Sequence, residues 1–216
     1  MNSKALVFIS SLLVLISSNA FSQSDWELKL NKEGIKVYTK NLDNSPYKAV
    51  KTICTVDASL SRLTAVLLDI NSTKDWVYAT KTCTVLRQTS PSELFYHSEL
   101  AIPWPASNRD FVVRLWVTQD ERTKTVSVWG ENRPAYIPQK KNVVRIQQSY
   151  SKWIITPLAN GQAQIEYVLE VNPGGSVPAW LINMFATKGP YESFQKLRLQ
   201  VKKNIYDKVQ LPFVKD

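Results

Sequence analysis

An amphipathic segment near the C-terminus, residues 177–206, is the feature that most constrains how this chain can fold. Its apolar side chains recur at intervals of three and four, at Val177, Trp180, Leu181, Met184, Phe185, Tyr191, Phe194, Leu197, Val201 and Ile205. That spacing places them on one side of an α-helix about 45 Å long. Ser176 and Pro178 suit its first turn, and Gly189-Pro190 predicts a kink or a brief break. The apolar side must be buried against another part of the chain.

The residues upstream of this helix are expected to supply a β-sheet. The pattern first predicts a short helix or irregular lead-in over residues 25–32 and a hairpin of strands 35–40 and 47–56. Two short helices, 59–70 and 73–78, are expected next. Six strands then follow, over residues 80–87, 94–102, 111–119, 125–131, 143–157 and 162–171. Short links rich in turn residues imply that sequential strands pair antiparallel. We therefore expect an α+β fold in which one curved antiparallel sheet wraps around the long C-terminal α-helix.

The first 22 residues have the pattern of a secretory signal peptide. Lys4 precedes an apolar run over residues 5–16, and small residues follow at the spacing that signal peptidase recognises, in Ser18-Asn19-Ala20 and Ala20-Phe21-Ser22. The run is shorter than the roughly 20 residues that a membrane span needs. We expect cleavage of residues 1–22 and a single exported domain, residues 23–216, that is periplasmic or secreted. The alternative is an N-terminal helix that stays anchored or buried.

The net charge of the chain is strongly positive. The full sequence carries +9, and removal of residues 1–22 takes away one lysine and no acid, which leaves +8. A basic surface favours anionic partners. We expect transient contact with an anionic membrane surface. Because no run rich in lysine or arginine stands out, we expect no nucleic acid partner. We also expect a monomeric protein. The alternative is a surface charge that serves solubility alone.

Few residues of the chain suggest redox, metal or catalytic chemistry. Cys54 and Cys83 are the only cysteines, and His97 is the only histidine. Both cysteines fall in predicted strands, so they form either a disulfide, if those strands are neighbours, or two separate buried thiols. No metal site is expected, because zinc usually takes four ligands. Without a glycine-rich phosphate loop or a nucleophile elbow, the sequence indicates neither a cofactor nor a catalytic residue.

Three motifs give the chain a resemblance to a known family. Residues 97–101 (HSELA) are followed by Pro103-Trp104-Pro105 and by residues 107–112 (SNRDFV), residues 172–183 are NPGGSVPAWLIN, and Trp76 follows the two predicted small helices. In this order they resemble the START domain, the lipid-transfer family related to steroidogenic acute regulatory protein. The likeness extends over roughly residues 25–208, nearly all of the chain that remains after residue 22.

The resemblance implies a helix-grip fold with an internal hydrophobic cavity that holds one lipid. The residues that it places at the cavity are Glu99, Phe111, Val113, Leu115, Trp180, Leu181, Met184 and Phe185. It implies a lid at residues 102–108, where Ile102 and Trp104, together with Trp180 on the helix, would contact the membrane. An indole flanked by prolines suits a bilayer interface. Arg109 and Asp110 are expected to orient the lid loop.

Glu99 occupies a position at which some sterol-binding members of the family carry an acid paired with a cavity arginine. That arginine falls at Leu115 here, and Arg114 lies one residue earlier. Because neighbouring residues of a strand point to opposite faces, Arg114 should point away from the cavity. Sterol is therefore a weaker candidate as ligand. Glu99 would instead pair with Arg145 or another base, because an unpaired buried carboxylate is costly.

Three functional hypotheses follow from the sequence. The first is an exported lipid-binding or lipid-transfer protein without enzymatic activity. The second is an enzyme similar to polyketide cyclases, for which a His97–Glu99 pair inside the cavity would supply the polar chemistry. The third is a sensor or interaction module in which lipid binding only alters a surface. The apolar residues of the helix and of the lid loop favour the first.

Overall fold

The structure is a computed structural model that describes residues 25–43, 47–175 and 177–216. The predicted signal peptide, the predicted turn at Asn44-Ser45-Pro46 and the predicted cap Ser176 lie outside these residues. The strands are β1 Glu27–Lys32, β2 Ile35–Asn41, β3 Lys48–Val56, β4 Thr80–Ser90, β5 Glu93–Leu100, β6 Arg109–Gln119, β7 Val126–Asn132, β8 Val144–Arg145, β9 Gln148–Pro157 and β10 Ala163–Asn172. The α-helices are α1 Leu60–Leu68, α2 Thr73–Trp76, α3 Ala179–Asn183 and α4 Gly189–Gln200.

One antiparallel sheet organises the described part of the chain. Nine strands follow the order β1-β2-β3-β10-β9-β7-β6-β5-β4, and each neighbouring pair is antiparallel. The two-residue strand β8 lies off this path and pairs in parallel with the beginning of β6. From β4 to β10 the strands follow one another as a meander, as their short turn-rich links predict.

The sequence between the hairpin and the meander forms helices as predicted. Ser59 caps α1, and its hydroxyl accepts a hydrogen bond from the backbone N–H of Arg62. Leu63 and Val66 of α1 are fully buried, which the spacing of apolar residues in this segment requires. A 3₁₀ turn, Ile70–Ser72, leads into α2, where Trp76 is buried.

The C-terminal helix extends over residues 179–200, from the beginning of α3 to the end of α4. Pro178 is extended and precedes the first helical residue. The predicted irregularity near Gly189 is a π-helical segment, Met184–Lys188, that joins α3 to α4. Gly189 allows close packing, because a β-carbon there would lie 3.1 Å from the Tyr78 ring, a tighter contact than is usual.

The predicted continuation of the helix to Tyr206 is wrong. The backbone of Lys203 is extended, and a 3₁₀ turn, Asn204–Tyr206, follows it. The phenol of Tyr206 is buried, donates a hydrogen bond to Asp69 (2.6 Å) and accepts one from Gln200 (3.0 Å). The chain therefore turns back toward α1, because docking of this tyrosine replaces the last predicted turns of helix.

Two predicted elements of the sheet also need correction. Residues 25–32 contain strand β1 rather than a helix or an irregular lead-in, because Glu33 and Gly34 both have positive φ and close a two-residue hairpin to β2. Residues 143–157 do not form one strand. They divide at Ile146 and Gln147, so that β8 pairs with β6 while β9 pairs with β7 and β10.

The core lies between the concave face of the sheet and the C-terminal helix. Phe194 and Leu197 of α4 are fully buried. The Phe194 ring stacks on Trp153 of β9 at 5.5 Å and lies 6.1 Å from Tyr167 of β10. The sheet thus holds the helix by aromatic contacts near its centre. In the described ranges, no helix has both the length and the apolar character needed to cross a bilayer.

Candidate functional site

An internal cavity of about 290 Å³ lies between the sheet and the C-terminal helix. This volume is at the lower end of the range of roughly 300–1,000 Å³ that small-molecule sites occupy. The wall is mostly apolar and is formed by strands of the sheet, by α2 and by one side of the helix. Such a cavity accommodates an apolar molecule by removing its surface from water.

Five of the eight residues predicted at the cavity lie on its wall. Phe111, Val113 and Leu115 come from β6, whereas Leu181 and Phe185 come from the C-terminal helix. On β6 the alternation of inward and outward side chains accounts for all three. Arg114 points outward, as predicted, and its guanidinium binds both carboxylate oxygens of Glu93 at 3.0 Å.

The prediction that the cavity wall includes Glu99, Trp180 and Met184 is wrong, since none of them lies on it. Trp180 is 44% exposed and Met184 is partly buried. The helix instead presents Leu181 and Phe185 to the cavity. Trp180 precedes Leu181 by one residue, about 100° around the helix, so it lies away from that side.

The face of strand β5 that lines the cavity is opposite to the one predicted. Tyr96, Ser98 and Leu100 line the wall. Ser98 is opposite Phe111 in the β5–β6 pairing, and Glu99 is opposite Asp110. Residues directly opposite each other in an antiparallel pair share a face, so an inward Phe111 requires an outward Glu99. This register was the signal that could have placed Tyr96 and Ser98 in the cavity.

Glu99 joins three segments near the protein surface. Its carboxylate accepts hydrogen bonds from Lys81 (2.8 Å), Lys140 (3.1 Å) and the Asn108 amide (2.9 Å). The Lys81 bond is the main reason that the pKa of Glu99 is lowered to about 2, and burial opposes the shift. Asn108 in turn accepts from the backbone N–H of Ile102 (3.0 Å). Glu99 therefore fixes both ends of the loop over residues 102–108.

The loop over residues 102–108 combines a cavity contact with an exposed tip. Ile102 lines the cavity, and Trp104 is 91% exposed. Val177, at the beginning of the helical region, lines the same cavity. The predicted lid residues Ile102 and Trp104 therefore belong to one short loop at the end of the cavity where the chain leads into the C-terminal helix.

Asp110 and His97 belong to a buried network on the outer face of the sheet. His97 Nε2 lies 2.9 Å from Asp110 Oδ2, and Arg145 donates to both Asp110 oxygens at 2.8 and 3.0 Å. Burial alone would raise the pKa of Asp110, but the hydrogen bonds from Arg145 and His97 outweigh it and lower the pKa. Arg145 also donates to the carbonyls of Pro134, Ile137 and Pro138.

This network corrects three expectations. Arg145 pairs with Asp110 and not with Glu99. His97 lies outside the cavity, so it forms no His97–Glu99 pair there and the cyclase hypothesis loses its polar centre. Asp110 orients the segment over residues 133–146, through Arg145, instead of the loop over residues 102–108.

Arg109 connects the lid loop to the segment before the helix. Its guanidinium donates to the carbonyls of Ser107 (2.6 Å) and Gly174 (3.4 Å), which agrees with the expected role in loop orientation. Unlike Asp110, Arg109 also lines the cavity. Burial lowers its pKa. A guanidinium on a mostly apolar wall was not predicted as part of the cavity.

Cys54 and Cys83 are free thiols. Cys54 lies on β3 and Cys83 on β4, with β10, β9, β7, β6 and β5 between them in the sheet. The two strands are not neighbours, so the disulfide is not formed and the alternative of two separate thiols describes the structure. Burial raises the pKa of both thiols to about 11, which keeps them protonated at neutral pH.

Comparison with known proteins identifies the family. A sequence profile of the START domain matches residues 6–204. The chain belongs to the START domain family. A fragment of a STAR-related lipid transfer protein from Xanthomonas axonopodis, whose structure is solved, superposes with a TM-score of 0.76 at 29% sequence identity; the match covers 83% of this chain and 99% of the fragment. The resemblance and the helix-grip fold predicted from the sequence are thus confirmed.

Two relatives of this START domain match along most of their length. An uncharacterised protein of Pseudomonas aeruginosa is 29% identical over 188 residues, which cover 87% of this chain and 92% of that protein. The phosphatidylcholine transfer protein of Mus musculus is 26% identical over 193 residues, which cover 88% of this chain and 89% of that protein. START homologues bind lipids.

Proposed function

We propose that this protein binds one lipid, or a similarly apolar molecule, in the cavity between the sheet and the C-terminal helix and carries it to or from a membrane. The observation that carries the proposal is a mostly apolar cavity between the sheet and the C-terminal helix of a START domain. The mouse relative is named for phosphatidylcholine transfer, and the Xanthomonas relative for lipid transfer. The mechanism is passive and needs neither a cofactor nor a covalent step.

The driving force of binding is transfer of apolar surface, about 25 cal/mol per Å² relative to water. A lipid in a bilayer is already dry, so the net gain on moving into the cavity is small. Binding is therefore reversible, which suits a carrier. Because the cavity measures about 290 Å³, a ligand with two long chains requires the C-terminal helix or the lid loop to move outward.

The loop over residues 102–108 and the beginning of the C-terminal helix are the proposed membrane contact. Trp104 and Trp180 are large apolar side chains that are 91% and 44% exposed. Indole rings favour the interface between headgroups and acyl chains. The net charge, which is +8 after removal of residues 1–22, adds attraction to an anionic bilayer. In this proposal the protein docks as a monomer, and the two segments separate while the lipid passes between them.

We also propose that the protein acts outside the cytoplasm, after removal of residues 1–22. The support is the apolar run over residues 5–16, preceded by Lys4 and followed by small residues. Mass spectrometry of the protein purified from its natural source tests this. An N-terminus at residue 23 is the expected result, and an intact Met1 overturns the proposal.

The lipid-binding proposal is tested with a pair of leucine-to-tryptophan variants. Leu115 lines the cavity, whereas Leu199 is exposed on α4. Leu115→Trp should occupy cavity space, lower the amount of lipid taken up from vesicles and lower transfer between vesicles. Leu199→Trp adds the same ring outside the cavity and should leave both measurements unchanged.

Circular dichroism and urea unfolding of the two variants show whether each is folded, since overpacking costs about 1–3 kcal/mol. The wild-type protein should extract labelled lipid from donor vesicles and deliver it to acceptors. Failure of the wild-type protein to take up any lipid refutes the proposal. Equal uptake by folded Leu115→Trp and the wild type shows that the lipid binds elsewhere.

A further inference from the structure

Arg109 is a buried cation on the cavity wall whose hydrogen bonding is incomplete. It is only 4% exposed. Its two terminal nitrogens donate to the Ser107 and Gly174 carbonyls, and its Nε has no hydrogen-bond partner in the described part of the chain. A buried charge with an open donor is costly unless something else compensates it.

No carboxylate among the described residues forms an ion pair with Arg109. The adjacent carboxylate, Asp110, faces the outer side of the sheet and pairs with Arg145 and His97. Glu99, opposite Asp110 and on the same outer face, pairs with Lys81 and Lys140. Both nearby acids are thus committed to other cations, and the guanidinium lies on the cavity wall beside the Tyr47 phenol, an interaction that favours its charged form.

A second unpartnered polar group lies in the same row of the sheet. Thr80 is opposite Leu100 in the β4–β5 pairing, and Leu100 is opposite Arg109 in the β5–β6 pairing. All three line the cavity, and the buried Thr80 hydroxyl also lacks a hydrogen-bond partner among the described residues. Two strand spacings separate the Thr80 and Arg109 backbones by about 10 Å. Both side chains therefore lie on the same part of the cavity wall.

The position of this row gives the cavity a polar end. Leu100 and Arg109 immediately flank the segment that contains the lid loop, whereas Phe111, Val113 and Leu115 follow along β6 with apolar side chains on the same wall. A molecule with one polar group and an apolar tail would fit with the polar group beside the lid loop and the tail along β6.

We propose that Arg109 binds the oxyanion of an anionic amphiphile, a lipid phosphate or a carboxylate, and that the Thr80 hydroxyl is a second donor to the same headgroup. The planar donors of a guanidinium match the oxygen geometry of both anions. This inference rests on the proposed function, because it names the chemical class of the ligand in the same cavity. Arg109 is therefore a specificity residue as well as a loop contact.

The test compares ligands that differ only in the headgroup charge. Palmitic acid and hexadecan-1-ol form a single-chain pair, and dioleoyl phosphatidic acid and dioleoylglycerol form a two-chain pair. Native mass spectrometry of the purified protein gives the affinity for each probe. The wild-type protein should prefer the anionic member of one pair by roughly 10- to 100-fold, the range for a hydrogen bond to a charged group. The pair that shows this preference distinguishes a carboxylate from a phosphate.

Variants assign the preference to residues. Arg109→Gln should bring the ratio of anionic to neutral affinity near one and leave the neutral affinity within about twofold, while Arg109→Lys should keep part of the preference. Thr80→Val removes a hydroxyl that bonds to nothing in the described chain, so it should fold normally and lower the ratio by a smaller factor. Arg114→Gln removes a cation from the outer face and should keep the wild-type ratio.

Each unfavourable outcome has a distinct meaning. Equal binding of charged and neutral probes by the wild type overturns the headgroup assignment and leaves the lipid-binding proposal standing. A wild-type ratio retained in Thr80→Val and in Arg109→Gln overturns the assignment of these residues, and if Arg109→Gln does not fold, Thr80→Val decides alone. Binding of none of the four probes overturns the proposed function together with this inference.

Discussion

Glu99→Gln should destabilise the protein at neutral pH by removing charge from a nearly buried site. The Glu99 side chain is only 7% exposed, and two lysine ammonium groups lie within 3.1 Å of its carboxylate. Glutamine retains a carbonyl oxygen that can accept from Asn108, so the loss is confined to the ion pairs with Lys81 and Lys140. The loop over residues 102–108 should keep its hydrogen bond to Ile102.

The magnitude follows from the pKa of the carboxyl. Its pKa is lowered from the ordinary 4.5 to about 2 in the folded protein, which at about 1.4 kcal/mol per pH unit gives an upper bound of about 3 kcal/mol. The side chains of Lys81 and Lys140 are about half exposed, so solvent screens both pairs. We therefore expect a loss of about 1–3 kcal/mol at pH 7.

The sign of the pH dependence is fixed by the direction of the shift. The folded state holds its Glu99 proton less tightly than the unfolded state does, so the contribution is complete above pH 4.5 and is lost as the pH falls toward 2. Urea unfolding, followed by tryptophan fluorescence from pH 7 to pH 3, measures this. The difference in the free energy of unfolding between the wild type and Glu99→Gln should shrink steadily over the lower part of that range. The other carboxylates titrate in both proteins, so their contributions cancel in this difference.

Glu93→Gln is the matched control, because Glu93 pairs with Arg114 where both side chains are partly exposed. It should lower the free energy of unfolding less than Glu99→Gln does, because solvent screens the exposed Glu93–Arg114 pair. A difference between the wild type and Glu99→Gln that stays constant from pH 7 to pH 3 would refute the reasoning, since the ion pairs would then not be its source. Equal stability of the two proteins at pH 7 would do the same.

Three further predictions concern other parts of the chain. Asp110→Asn should lower the free energy of unfolding by about 3–5 kcal/mol in urea denaturation, because it leaves the buried Arg145 without its counter-charge; a loss below 1 kcal/mol would contradict the assigned network. Trp104→Ala should weaken binding to anionic vesicles roughly tenfold in a flotation assay without changing stability, since the indole is exposed; unchanged vesicle binding would remove the loop from the membrane contact. Cys54 and Cys83 should react slowly with a thiol reagent at pH 8 in the folded protein and rapidly in urea, because burial raises the pKa of both thiols; absence of free thiols after unfolding would indicate a disulfide.

The helix-grip fold could be predicted because its strongest signals are local. The apolar spacing over residues 177–206 required a buried helix, and short turn-rich links required an antiparallel meander. The errors occurred where tertiary contacts decide the backbone. The helix ends at Gln200 because the buried Tyr206 docks on Asp69, and β1 exists because Glu33-Gly34 closes a hairpin through two positive φ angles.

The cavity could be predicted on β6 and not on β5, for one physical reason. On β6 the outward Arg114 stands among apolar neighbours, so the alternation identifies the inner face directly. On β5 both faces are covered, because the segment over residues 133–146 packs outside and Arg145 holds it to Asp110. His97 and Glu99 are consequently as buried as Ser98, and the polarity of the side chains no longer distinguishes inside from outside.

The covered outer face also changes the meaning of the motif over residues 107–112. Adjacent residues of a strand point to opposite sides, so Arg109 and Asp110 cannot both serve the lid loop. Asp110 faces outward and, through Arg145, holds the segment that covers the sheet, whereas Arg109 faces inward and bonds both to the loop and to the segment before the helix. The Arg-Asp pair thus divides two tasks between two faces at the point where β6 begins. Arg109 consequently lies on the cavity wall, which also includes Lys48, while Asp110 holds the covering segment on the outer face.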